Sequence, residues 1–157
     1  MGIAYTDLLL EAGILANNAV SIEELSNILV EYANSGLNPD LICLYWYENT
    51  FNPNMRLKVK RGFVGVPESL HNGSELVSFL FESKKLVCLN TFKKSPFEEL
   101  LLSNNMESGM ALALYLDELE YGVLILNSKH PFYFLRDEIQ YLENLYLIIN
   151  MQKIKQE

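Results

Sequence analysis

The sequence predicts an α+β fold, in which an antiparallel sheet is accompanied by helices at both ends of the chain. Two observations support this prediction. The strand-like segments come mostly as neighbouring pairs joined by short turns, and both chain ends show the helical spacing of apolar residues. With 157 residues and 18.0 kDa, the chain is long enough for one domain with a sizeable core and too short for two ordinary ones.

Two helices are predicted at the start of the chain. Thr6 is a candidate cap for the first helix, which carries a broad apolar stripe. Ser21 and Glu24 have the spacing of a capping box, which predicts that the second helix begins at Ser21. Gly36 is predicted to end that helix, because glycine readily adopts the left-handed conformation found at helix ends.

A strand hairpin is predicted next. Leu41–Tyr47 is apolar and aromatic throughout, which is typical of a strand covered on both faces. Met55–Arg61 alternates apolar and basic residues, so we expect Met55, Leu57 and Val59 to face the core and the basic side chains to face outward.

The middle of the chain is predicted to alternate irregular and short regular segments. Residues 63–73 form a loop by composition, and Ser74 caps a short helix over Glu75–Ser83. A short strand is predicted over residues 86–90. Ser95 and Pro96 then give a helix-start signal, which predicts a helix to about residue 104.

A second hairpin and a long helix complete the prediction. One strand covers residues 110–116, an acidic turn covers 117–120, and a second strand begins at Tyr121. After a break around Pro131, Asp137 is the expected cap of an amphipathic helix that runs to about residue 151.

This last third of the chain resembles the C-terminal half of a GAF domain, a small-molecule-sensing and dimerising module. The matching residues are Gly109, Tyr121-Gly122-Val123-Leu124, Ser128, Pro131, Phe134 and Asp137-Glu138. Residues 74–90 also resemble the family's stretch from short helix to third strand. One departure is Leu135, where members often have a Ser or Thr cap. The long helices at both ends favour GAF over the related PAS fold.

The resemblance implies a single GAF domain over residues 1–157. Residues 1–20 would form an N-terminal helix that serves as a dimerisation element, residues 21–151 the core, and residues 152–157 the end of the last helix. The fold class is then α+β and GAF-like (PAS-related), with the N- and C-terminal helices on one face of the antiparallel sheet. A roof of helices and loops covers the other face.

In GAF domains the ligand pocket lies beneath that roof. The resemblance therefore implies a pocket for an unidentified small-molecule ligand, lined by Tyr45, Tyr47, Phe63, Phe79, Asn90, Phe92, Phe97 and Tyr115. Aromatic rings with a few polar tips suit a small planar ligand. A filled hydrophobic core without a cavity is equally consistent with the sequence.

The terminal helices carry more apolar surface than one small domain needs to cover its sheet. This surplus predicts a homodimer with a four-helix contact. The expected interface residues are Leu8, Leu9, Ile14, Leu15, Tyr141, Leu145, Ile148 and Met151. The alternative is that the first helix covers the surplus within one chain.

Composition argues against several functions. The net charge of −8 and pI of about 4.8 are unfavourable for nucleic-acid binding, which depends on basic residues. We find no signal peptide and no apolar run of the ~20 residues that span a bilayer, so we expect a cytoplasmic protein without membrane insertion. Two histidines and two cysteines are too few for the usual metal sites, and we expect neither a metal nor a cofactor.

The sequence therefore predicts a non-catalytic GAF sensor or regulatory domain that acts in signal transduction. The family also includes the free-methionine sulfoxide reductases, which use cysteine thiols, and such an enzyme is the first alternative. Cys43 and Cys88 both lie in apolar strand-like runs, where buried and unreactive thiols are expected. A ligand-free protein-interaction module is the second alternative.

Overall fold

The structure, a computed structural model, describes residues 4–47, 54–71, 73–90, 97–115 and 121–152, with side chains described to residue 150. In chain order, the elements are α1 (Tyr5–Asn17), α2 (Ile22–Leu37), β1 (Leu41–Tyr47), β2 (Met55–Arg61), β3 (Ser69–Leu70), α3 (Glu75–Ser83), β4 (Val87–Leu89), β5 (Ser108–Tyr115), β6 (Tyr121–Ser128) and α4 (Arg136–Gln152). They divide into two compact units: α1, α2 and α4 form a helical unit, and the strands with α3 form a sheet unit. The single domain and the placement of the terminal helices over one sheet face stay predictions.

Helix α2 begins as predicted but ends differently. The Ser21 hydroxyl accepts a hydrogen bond from the Glu24 N–H over 3.1 Å, while the Glu24 carboxylate reaches back to the Val20 N–H over 2.9 Å. Gly36 is not the left-handed residue that ends the helix. The helix continues to Leu37, and Asn38 takes the left-handed conformation with φ of 44°.

Gly36 has a different role, which is to make room for Tyr141 of α4. A Cβ atom at position 36 would overlap the Tyr141 ring, so only glycine allows the ring to lie against α2. The Tyr141 hydroxyl donates to the Tyr32 carbonyl over 2.6 Å, and the ring stacks on Tyr5 with centroids 4.4 Å apart. Tyr141 therefore joins all three helices of the helical unit.

The other two helices begin slightly before their predicted caps. Helix α1 begins at Tyr5, after Ala4, which makes no side-chain cap hydrogen bond, so Thr6 lies inside the first turn. Helix α4 begins at Arg136, and Asp137 lies within its first turn rather than capping it. The acidic residue still interacts favourably with the helix dipole from that position.

The described strands form one sheet in the order β3-β2-β1-β6-β5-β4, and all of its paired neighbours are antiparallel. Both predicted hairpins are present, as β1–β2 and β5–β6, and the α+β class is confirmed. The two-residue strand β3 was not predicted, because it lies in a segment whose glycines and proline indicated an irregular loop.

A β-bulge in the first hairpin corrects the predicted faces of β2. The register shifts between Leu44 and Tyr45, so Leu57 is opposite Tyr45 whereas Val59 is opposite Leu44. Since opposed residues share a face, Leu57 and Val59 project from opposite faces. Met55 and Leu57 reach the hydrophobic core beside Tyr45, as predicted, but Val59 does not belong to that core.

The helix predicted over residues 96–104 is reduced to a single 3-10 turn, Glu98–Leu100. Its start signal at Ser95 and Pro96 lies outside the described residues. The buried side chain of Asn127 in β6 provides the reason. Its Oδ1 accepts from the Leu102 N–H over 2.7 Å, and its Nδ2 donates to the Leu100 carbonyl over 2.8 Å. The Leu102 N–H and the Leu100 carbonyl are therefore hydrogen-bonded to Asn127 and are not available to continue a helix.

Candidate functional site

Three tyrosines lie side by side at one end of the sheet. In the strand register, Tyr47 of β1 is opposite Tyr121 of β6, and Tyr121 is opposite Tyr115 of β5. Directly opposed residues project from the same face, so the three rings form one row. The Tyr47 and Tyr121 rings stack with centroids 4.6 Å apart and 15° between their planes. The Tyr115 and Tyr121 centroids are 6.5 Å apart.

Helix α3 places Phe81 against this row. The Phe81 ring is nearly perpendicular to the rings of Tyr115 and Tyr121, at 85° and 77°, with centroid distances of 5.1 and 4.9 Å. The Tyr115 hydroxyl donates to the Phe81 carbonyl over 3.1 Å. Burial, with a smaller contribution from Tyr121, raises the pKa of Tyr115, which keeps this donor protonated. The end of the hairpin and α3 are thus held together.

A groove of about 330 Å³ runs beside α3 and the tyrosine row. We call it the aromatic groove, and the described residues that line it are Val77, Ser78, Phe81, Glu82, Tyr115 and Tyr121. Val77 is buried, whereas Ser78 and Glu82 are exposed to solvent. The volume is near the lower end of the roughly 300–1,000 Å³ that small-molecule sites occupy.

Tyr45, which was expected to line the pocket floor, lies in the hydrophobic core. It is fully buried, and its hydroxyl donates to the Pro67 carbonyl over 2.7 Å. Its ring belongs to a cluster that includes Met55 and the α3 residues Leu76 and Leu80. Side chains therefore fill the space above the sheet at Tyr45, and the aromatic groove lies at the edge of this filled core.

The other expected pocket residues are dispersed. Phe63 is fully exposed, and Phe79 packs on Phe97 with centroids 4.9 Å apart. The Asn90 amide donates to the Phe134 carbonyl and, over 3.3 Å, to the Cys88 sulfur. Phe92 lies outside the described residues. Of the eight expected residues, Tyr115 lines the aromatic groove and Tyr47 supports it by stacking on Tyr121.

Tyr121, Phe81, Val77, Ser78 and Glu82 were missed by the sequence-based prediction of the pocket. Two of them had a usable signal. Tyr121 directly follows the predicted acidic turn and Tyr115 lies near the end of the strand before it, so an antiparallel pairing predicts that the two rings are neighbours. Phe81 lies four residues after Val77 and therefore on the same side of α3.

The helical unit has an apolar groove of about 550 Å³ of its own. We call it the helical groove, and it includes Leu9, Leu10, Gly13 and Ile14 of α1 and Ile148 of α4. Leu10 and Ile14 are more than half exposed, at 65% and 57%. This groove is open to solvent and contains part of the expected dimer interface.

Other expected interface residues are not at the surface. Leu8, Tyr141 and Leu145 are buried within one chain, so they are not accessible to a second copy in this conformation. Leu15 is exposed but does not line the helical groove. The side chain of Met151 lies outside the described residues.

The two thiols lie on strands that are not neighbours in the sheet. Cys43 is in β1 and Cys88 in β4, and the order β1-β6-β5-β4 puts three strand spacings, about 14 Å, between their strands. Val87 and Leu89 pack against the core that contains Cys43, so the alternation of β4 turns Cys88 to the other face. Burial raises the pKa of Cys43 to about 12 and that of Cys88 to about 11.

The described residues contain no cluster of three or more His, Cys, Asp or Glu side chains able to hold a metal ion. In the same parts of the chain, no helix is long and apolar enough to cross a bilayer.

The basic side chains of β2 do not form a single stripe, since the bulge places Lys60 on the face of Cys43 and Arg56 on the face of Trp46.

Comparison with protein-family models gives no match, and neither does comparison with curated protein sequences. Solved structures do match. The free methionine-R-sulfoxide reductase of Neisseria meningitidis, in complex with its substrate, is 15% identical with a TM-score of 0.76, covering 99% of this chain and 95% of that chain. The GAF domain of the Acinetobacter phosphoenolpyruvate-protein phosphotransferase is 20% identical with a TM-score of 0.69, covering 99% and 96%.

The chain has a GAF-like fold. The substrate-bound fRMsr of Staphylococcus aureus extends the same similarity, with 20% identity, a TM-score of 0.72 and 97% coverage of both chains. Identities at this level establish the shared GAF-like architecture and leave the activity to be argued from the residues themselves.

Proposed function

We propose that this protein is a non-catalytic GAF-like regulatory domain that senses a small ligand in the aromatic groove. The observation that carries the proposal is the groove itself, where Tyr115, Tyr121 and Phe81 are held in fixed orientations beside an open volume. Three rings fixed by packing and by the Tyr115 hydrogen bond provide a preorganised apolar surface. Glu82 and Ser78 supply polar groups at the exposed side.

The position of the groove suits a sensing role. It lies between α3 and the end of the β5–β6 hairpin, so an occupant would contact both elements. A ligand that bound better to one arrangement of α3 than to another would shift the population of the two. The proposed signal is therefore a change at α3 relative to the sheet within the sheet unit.

A thermal-shift screen tests this proposal. Cyclic nucleotides, free amino acids and nitrogenous metabolites are added to the full chain, and hits are repeated on Tyr121→Leu. We expect compounds that raise the Tm of the original chain and of a control, Tyr133→Leu, but not that of Tyr121→Leu. Equal stabilisation of all three proteins would locate binding elsewhere. No stabilisation by any compound would favour the ligand-free interaction module.

We further propose that the protein forms a cytoplasmic homodimer through the helical groove. Leu10 and Ile14 offer exposed apolar surface next to Ile148, and such surface is stabilised when a second copy covers it. The free thiols Cys43 and Cys88 are consistent with a reducing compartment.

A free-methionine sulfoxide reductase is the second candidate, because three of the similar structures are of such reductases, from Neisseria meningitidis and Staphylococcus aureus. A disulfide joins Cα atoms that are about 4.4–6.8 Å apart, so Cys43 and Cys88 cannot pair without a large rearrangement. Their raised pKa values also disfavour the thiolate nucleophile. We therefore place this candidate second.

Incubating the chain with free methionine-R-sulfoxide and a dithiol reductant, and measuring methionine, distinguishes the two candidates. We expect no turnover above the reductant alone. Turnover that disappears in Cys43→Ser or Cys88→Ser would instead establish the reductase.

A further inference from the structure

We propose that the aromatic groove binds the ammonium group of a small organic cation, preferably a methylated one. This inference rests on the proposed function, since it names the ligand class of the same groove. It follows from the ring arrangement, from the carboxylate at the groove and from a lysine ammonium that the chain places near the Tyr115 ring.

The rings provide the first argument. The face of an aromatic ring is electron-rich and attracts a cation within about 6 Å of the ring centroid. Phe81 is nearly perpendicular to Tyr115 and Tyr121, so the groove presents aromatic surface in more than one orientation. Methyl groups on an ammonium lower its cost of leaving water, which suits a groove lined by the buried Val77 and by these half-buried rings.

Glu82 provides the second argument. It is an exposed carboxylate that lines the groove and directly follows Phe81 in α3. It can attract the charge of a cation whose apolar groups contact the rings. The whole chain carries a net charge of −8, so its overall charge favours cations over anions.

Lys84 provides the third argument. It follows α3 in a left-handed conformation with φ of 56°, and its N–H donates to the Leu80 carbonyl. From there its Nζ lies 5.7 Å from the centroid of the Tyr115 ring, within cation–π distance. The Tyr115 ring, which lines the groove, thus already attracts one ammonium of the chain, although Lys84 itself does not line the groove. The positive charge of Lys84 would oppose the binding of a ligand cation near the same ring.

The test is a two-dimensional NMR titration of the full chain. The probes are choline, the neutral analogue in which carbon replaces its nitrogen, and sodium chloride at equal ionic strength. We expect saturable shifts at Phe81, Tyr115 and Tyr121 with choline, and no saturable shifts with the other two probes. Tyr121→Phe should retain this binding, because the ring remains. Tyr121→Leu should weaken it about five-fold or more, as loss of a cation–π contact implies.

Two charge variants give opposite predictions. Glu82→Gln should weaken choline binding roughly two- to five-fold, the range for an exposed charge pair, whereas Glu75→Gln, two turns earlier on α3, should leave it unchanged. Lys84→Gln removes the opposing positive charge and should strengthen binding by a similar factor. The reverse pattern, weaker binding in Lys84→Gln and stronger binding in Glu82→Gln, would show a preference for anions and overturn the inference.

The remaining outcomes separate this inference from the proposed function. Equal binding of choline and its neutral analogue would overturn the cation preference and leave a small-molecule groove. The cation preference would also be overturned, and the small-molecule groove retained, if choline did not bind while compounds of the thermal-shift screen still bound in a way that depends on Tyr121. If neither choline nor any compound of the screen bound, both the inference and the proposed function would fail.

Discussion

At the scale of single residues, Gly36 shows how one missing side chain organises the helical unit. Alanine in place of glycine inside a helix normally stabilises it by about 1 kcal/mol. Here the added Cβ would overlap the Tyr141 ring, and overpacking of this kind costs about 1–3 kcal/mol. We expect Gly36→Ala to lower the free energy of unfolding in urea. The same Gly36→Ala substitution should cost less free energy of unfolding in a chain that already carries Tyr141→Ala, because the ring is then absent. An equal loss in both chains would contradict the proposed contact.

Cys43 gives a pH-dependent prediction at the same scale. Burial raises its pKa in the folded chain from 9.0 to about 12, so between these values the folded thiol keeps a proton that the unfolded thiol releases. Its contribution to stability is therefore complete below pH 9 and falls as the pH rises toward 12. Between pH 8 and pH 10 the free energy of unfolding of the original chain should fall by about 1 kcal/mol more than that of Cys43→Ala. Urea unfolding of both proteins at each pH measures this difference. Equal losses would contradict a raised pKa.

At the scale of elements, Asn127 determines the path of residues 98–102. Its amide is fully buried and bonds both Leu100 and Leu102, so Asn127→Ala would leave a buried N–H and a buried carbonyl without these partners. We expect a loss of about 2–4 kcal/mol in the free energy of unfolding. The control is Asn144→Ala, which removes only an exposed hydrogen bond with Gln140. A loss below about 0.5 kcal/mol for Asn127→Ala would show that the two hydrogen bonds contribute little.

The same elements show what the sequence could predict. Both hairpins, α2 and α3 follow from local signals such as the Ser21 and Ser74 caps and the apolar run of β1, and the structure has them. The prediction of a helix after Pro96 was wrong. Its start signal is local, whereas the side chain that competes for the backbone, Asn127, is 25 residues away from Leu102. The faces of β2 depend on a bulge that alternation alone does not reveal.

The candidate site was harder to predict than the fold. A pocket under the roof was expected around Tyr45, yet the ring of Tyr45 fills its own space in the core. The aromatic groove depends on the register of three strands and on the placement of α3, which bring Tyr47, Tyr121, Tyr115 and Phe81 together. Register and helix placement are long-range properties, and composition does not encode them.

At the scale of the whole molecule, the proposed dimer predicts a concentration-dependent mass in light scattering. Ile14→Glu places a charge in the helical groove and should shift the protein toward the monomer, because burying an unpaired charge in an interface is unfavourable. Phe63→Glu is the control, since Phe63 is fully exposed in the sheet unit. A concentration-independent monomer for the original chain, or equal effects of both variants, would contradict an interface at the helical groove.

The aromatic groove is the proposed ligand site of this GAF-like fold. The most direct measurement is a crystal structure of the full chain with the compound that stabilises it most in the thermal-shift screen. We predict electron density for the compound between α3 and the rings of Tyr115 and Tyr121, with Glu82 beside it. Density for the compound at any other surface, with the aromatic groove free of it, would contradict this proposal.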